Sequence, residues 1–81
     1  MINTLEGYAY RFTGPDLNAR GGKARRYLLV VAATRQQADL IADRLKPGAI
    51  FDRSGPGILA IAQKIGVEIN SAKVVHNLID G

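Results

Sequence analysis

Cysteine is absent from this chain, and tryptophan with it. Without thiols there is no disulfide framework, no thiolate zinc site and no cysteine nucleophile. Histidine occurs once, at His76, and serine only at Ser54 and Ser71. A catalytic serine would have to meet that ring with an acid orienting it, and no spacing here suggests such a meeting. Asp39 and Asp43 stand one helical turn apart, but no histidine or third acid accompanies them. They read as a solvated helix face, so no metal, no cofactor and no enzymatic activity are expected. Long hydrophobic runs are missing too. The longest, Tyr27–Ala33, falls far short of the roughly 20 residues needed to cross a bilayer. Asn3, Thr4, Glu6 and Arg11 interrupt Met1–Thr13, so no signal peptide is expected there. These absences point to a soluble, cytoplasmic, non-catalytic protein with no membrane association.

What is present is positive charge, unevenly placed. Eleven Lys and Arg against seven Asp and Glu give a formal charge of +4 over 81 residues. Residues 1–33 hold five of those cations against two acids, whereas residues 58–81 hold two against two. Arg20, Lys23, Arg25 and Arg26 form the densest cluster, in a glycine-containing stretch that includes Gly21-Gly22. Such an arm suits an anionic partner, because basic residues on a flexible segment grip phosphates.

The length leaves room for one domain, residues 1–81, with a modest core. Leu5–Phe12 alternates, placing Tyr8, Tyr10 and Phe12 on one face of a strand. The run Tyr27–Ala33 is apolar on both faces, which implies cover on both sides or a central place in the sheet. Antiparallel pairing of these two strands is the simplest topology. Thr34-Arg35-Gln36-Gln37 fits a capping box, and Ala38, Ile41, Ala42 and Leu45 then recur on one helix face. Arg35 and Asp39 can pair on its solvent side. Lys46-Pro47-Gly48 stops this helix. Ala49–Phe51 reads as a short third strand, and Asp52–Gly57 as a loop, in which Arg53 and the glycines could offer a phosphate an N-terminal helix cradle. That loop is not a P-loop, since no lysine–hydroxyl pair follows it. Ile58, Ile61, Ala62 and Ile65 mark a second helix ended by Gly66. Asn70 or Ser71 can cap a third, with Ala72, Val75 and Ile79 on one face, although Val74-Val75 leaves a strand open. The expected class is α+β, ββα(β)αα.

Within Ile61–Leu78 the spacing of Ala62 and Gly66, with Ile61, Ile65, Val67 and Val75 as apolar positions, resembles the helix-turn-helix of bacterial and phage DNA-binding proteins. The resemblance implies a recognition helix presenting Asn70, Ser71, Lys73, Val74 and Asn77 to base edges or phosphates. Two functions then compete. One is nucleic-acid binding through the basic arm and these helices. The other is inhibition, of the anti-CRISPR type found in phages and mobile elements, of a host protein complex that handles nucleic acid. A homodimer would be reasonable for either, given the small core.

Overall fold

A computed structural model describes residues 5–15 and 23–75. In chain order it comprises β1 (Glu6–Pro15), β2 (Lys23–Ala32), α1 (Arg35–Leu45), β3 (Ile50–Gly55), α2 (Pro56–Lys64) and β4 (Ser71–Val75). The strands form one antiparallel sheet in the order β3-β1-β2-β4. β1 and β2 are therefore central. That position explains the two-faced hydrophobicity of Tyr27–Ala33, since Leu28, Leu29, Val30 and Val31 have almost no contact with solvent.

Each face of the sheet carries one helix. Tyr8 and Tyr10 of β1 join Leu28, Val30 and Ala32 of β2 beneath Ala38 and Ala42 of α1. Their alternating neighbours Ala9, Leu29 and Val31 join Ile58 and Ala62 of α2 and Val67 beyond it. The period of two in the strands thus separates two small cores. Close seating of α2 depends on Gly7. A Cβ there would stand 2.6 Å from the Ile58 carbonyl carbon, and nearer still to backbone atoms of Leu59.

The helix ends are closed by local chemistry. The Thr34 hydroxyl accepts a hydrogen bond from the Gln37 amide at 3.2 Å, as its N-cap position requires. At the end of α2 the Val67 amide donates to the Ala62 carbonyl and the Gly66 amide to the Gln63 carbonyl. This is a Schellman motif, and Gly66 occupies its left-handed position with φ 86°.

The expectation of two C-terminal helices, ββα(β)αα, is overturned, although the class remains α+β. The observed order is ββαβαβ. Ser71–Val75 is a strand paired with Val31–Tyr27; Leu78 and Ile79 lie outside the described residues. The physical reason lies in β2. A strand buried on both faces needs its remaining backbone groups paired as well, and the β-branched Val74-Val75 segment supplies that edge. Asn70, at φ 58°, turns the chain into it, and its amide donates to the Val31 carbonyl at 2.7 Å. The helix-turn-helix reading falls with this third helix. β3 is also longer than expected, running through Asp52–Gly55 with a register shift opposite Ala9/Tyr10 that leaves Asp52 as the extra residue.

Candidate functional site

Among the described residues, the two central strands continue beyond Arg11 and Tyr27 without flanking partners. Pairing of β1 with β3 stops at Arg11↔Ile50, and among the described residues pairing of β2 with β4 stops at Tyr27↔Val75. Among the described residues, Phe12–Pro15 and Lys23–Arg26 pair only with each other, as a two-stranded ribbon continuing from the sheet. The cross-strand pairs Thr13↔Arg25 and Phe12↔Arg26 fix two arginines along it, and Lys23 lies at the register position opposite Pro15. The stretch expected as a glycine-rich connection is thus partly regular strand.

At the root of the ribbon lies an open groove of about 770 Å³. Arg11, Phe12, Thr13 and Arg25 line it from the hairpin, and Leu45, Lys46, Pro47, Gly48 and Ile50 from the α1–β3 connection. Arg11 and Arg25 are diagonal neighbours on one face, since their partners are Tyr27 and Thr13. The Lys46 ammonium stands 5.1 Å from the centre of the Phe12 ring. Arg11, Arg25 and Lys46 have no carboxylate partner among the described residues. By strand alternation Arg11 and Arg25 stand on the α2 side of the ribbon, and Phe12, with Lys46 over its ring, on the α1 side, so the groove wraps round the outer edge of β1.

The other expected contact residues are not gathered here. Arg53 is exposed on β3 opposite Ala9, away from the ribbon, with its Nε donating to Asp52 at 2.8 Å. Arg53, Gly55 and Gly57 border a separate depression at the start of α2. Asn70 and Ser71 sit at the opposite end of β2, beside Val31. Lys73 faces α2 and its ammonium donates to the Ile65 carbonyl at 3.0 Å. There it neutralises the negative end of that helix. Arg20 and Asn77 lie outside the described residues. Tyr8 and Tyr10 are buried against α1, which removes them as stacking platforms.

A second cluster holds α1 onto the sheet. The Tyr10 hydroxyl donates to Asp39 Oδ1, and Arg35 Nε donates to the same oxygen at 2.9 Å. The Arg35 guanidinium lies 3.6 Å from the Phe51 ring centre, and Phe51 meets Tyr10 edge-on at 5.7 Å. The Tyr10 hydrogen bond, then the Arg35 hydrogen bond, hold the Asp39 carboxyl below its ordinary range. Burial, reinforced by Asp39, pushes the Tyr10 phenol up. The expected Arg35–Asp39 pair is present, but the tyrosine makes it a clasp between layers.

Arg11, Lys46 and Ile50 went unread in the sequence as site residues. Arg11 carried one signal, an outward charge in an otherwise apolar alternation. Lys46 looked only like part of a helix stop.

No family model matches the chain, and no solved structure matches it. Two curated relatives, molybdopterin molybdenumtransferases from two strains of Staphylococcus epidermidis, are each 33% identical to it over 57 residues. The match covers 70% of this chain and 14% of the enzyme, so the chain corresponds to only a small part of that relative.

Proposed function

We propose that this protein binds nucleic acid through the basic β-ribbon and acts without catalysis, in the cytoplasm. The observation that carries the reading is the ribbon Phe12–Pro15/Lys23–Arg26, which extends past both flanking strands among the described residues and brings Arg25 and Arg26 with it. A two-stranded ribbon fits the width of the B-DNA major groove, and arginines along it reach phosphates on either side. Arg11 and Lys46 add charge at its root. Affinity then comes chiefly from counterion release.

The test is binding of labelled DNA and RNA across a salt series. Affinity falls steeply as salt rises, and Arg25→Ala and Arg26→Ala each lower the log–log slope by about one. Absence of any retained DNA or RNA at low salt overturns the proposal.

A second reading, inhibition of a nucleic-acid-handling protein complex, is favoured by the outer edge of Phe12–Pro15, which β3 leaves uncovered. An exposed edge of this kind accepts a strand from another protein. That reading predicts a stoichiometric complex with one host protein that survives moderate salt. The similarity to molybdopterin molybdenumtransferase supplies a third ligand for comparison, molybdopterin itself. Under the primary proposal, calorimetric titration with it yields no binding.

A further inference from the structure

Leu45 and Ile50 flank the groove at the ribbon root and are 49% and 57% exposed. Leu45 belongs to the apolar stripe of α1, yet it stands half exposed at the last position of that helix. The groove therefore combines uncovered aliphatic surface with three cations, Arg11, Arg25 and Lys46, that lack a carboxylate partner among the described residues. Its complement is a group that is flat and apolar on one side and anionic on the other. A nucleotide has both properties in one unit. The groove is open, which suits a chain passing through it better than a small molecule enclosed on all sides.

We propose that this groove holds an unpaired nucleotide, so that a single strand gains there a contact that a duplex on the ribbon does not make. The phosphate lies against Arg11 and Arg25, and the base lies over Ile50 and Leu45 at the edge of β1, with Lys46 adding positive charge from the α1 side. The inference rests on the nucleic-acid reading above and specifies its substrate. Arg25 belongs to both ribbon and groove, so one bound strand can touch the two together.

Fluorescence anisotropy with a labelled single strand of about 12 nucleotides and the matching duplex tests this. Leu45→Ala and Ile50→Ala remove apolar surface without touching charge. Each is expected to weaken single-strand binding by about fivefold or more, to leave duplex binding and the salt slope unchanged, and to leave the melting temperature close to that of the parent. Ile50→Glu, which brings a carboxylate against the phosphate, produces a larger loss. Arg26→Ala, outside the groove lining, weakens single strand and duplex alike. If Arg26→Ala weakens binding while the Leu45 and Ile50 variants do not, the groove assignment is overturned and the ribbon reading survives. If the parent protein binds neither nucleic acid, both fall. If a polyglutamate chain binds with the same dependence on Leu45 and Ile50, the groove belongs to an acidic protein segment and the inference is overturned.

Discussion

Gly7 is the one described glycine at which an added Cβ would meet backbone atoms. Its missing side chain is what allows the backbone at Ile58–Leu59 to rest on β1. Gly7→Ala forces backbone against backbone, with no flexible side chain to give way. The expected cost is about 3 kcal/mol, read by urea denaturation. Tyr10 and Asp39 make a second residue-scale prediction. Asp39 has a folded pKa below its unfolded value, so its contribution is present above the ordinary carboxylate range and is lost as pH falls through the folded value. Tyr10 is shifted upward, so its contribution is present below the ordinary phenol range and is lost as pH rises through the folded value. Tyr10→Phe should therefore cost about 1 kcal/mol at neutral pH, and the difference from the parent should shrink on acidification. A difference independent of pH would mean that the hydrogen bond contributes nothing.

At the scale of elements, the end of α2 is held by a side chain from another element. Lys73→Ala removes the cation at the Ile65 carbonyl and should destabilise the protein by about 0.5 kcal/mol. Gly66→Ala, which strains a left-handed position, should cost about 1 kcal/mol. Neither change should alter any nucleic-acid preference; a shifted preference in Lys73→Ala would return that residue to the binding surface. The elements legible in the sequence were those whose patterns are local. Thr34 with Gln37, the stripe Ala38–Ala42 and the alternation of Tyr8, Tyr10 and Phe12 each specify an element within a few residues. The segment after Gly66 was misread because its apolar positions fit a helix about as well as a strand. The choice is made by the free edge of β2, some forty residues earlier in the chain. β3 was shortened for a similar reason, since a pairing that absorbs an extra residue at Asp52 breaks the alternation expected of a strand. The groove was illegible because Arg11, Lys46 and Ile50 meet only after the hairpin and the α1–β3 connection have been brought together.

For the whole molecule, the contrast between a two-stranded ribbon and a four-stranded sheet sets a gradient of protection. Isolated two-stranded pairs are marginal, whereas β1 and β2 within the sheet are buried on both faces. Hydrogen exchange at Thr13, Arg25 and Arg26 should therefore be faster than at Ala9, Leu29 and Val30, and binding to the ribbon should slow it. Equal protection throughout would contradict a ribbon without flanking support. The strand order β3-β1-β2-β4 also carries a kinetic consequence. The two central strands are neighbours in the chain, so the first contacts to form close a short loop, whereas each edge strand must be recruited across a helix. A transition state built on β1 and β2 follows, with β4 docking late. Val30→Ala should slow refolding, while Ala72→Gly should act chiefly by speeding unfolding. The sheet is thus assembled from its middle outward, and β4, which the sequence disguised as a helix, is the strand that closes it.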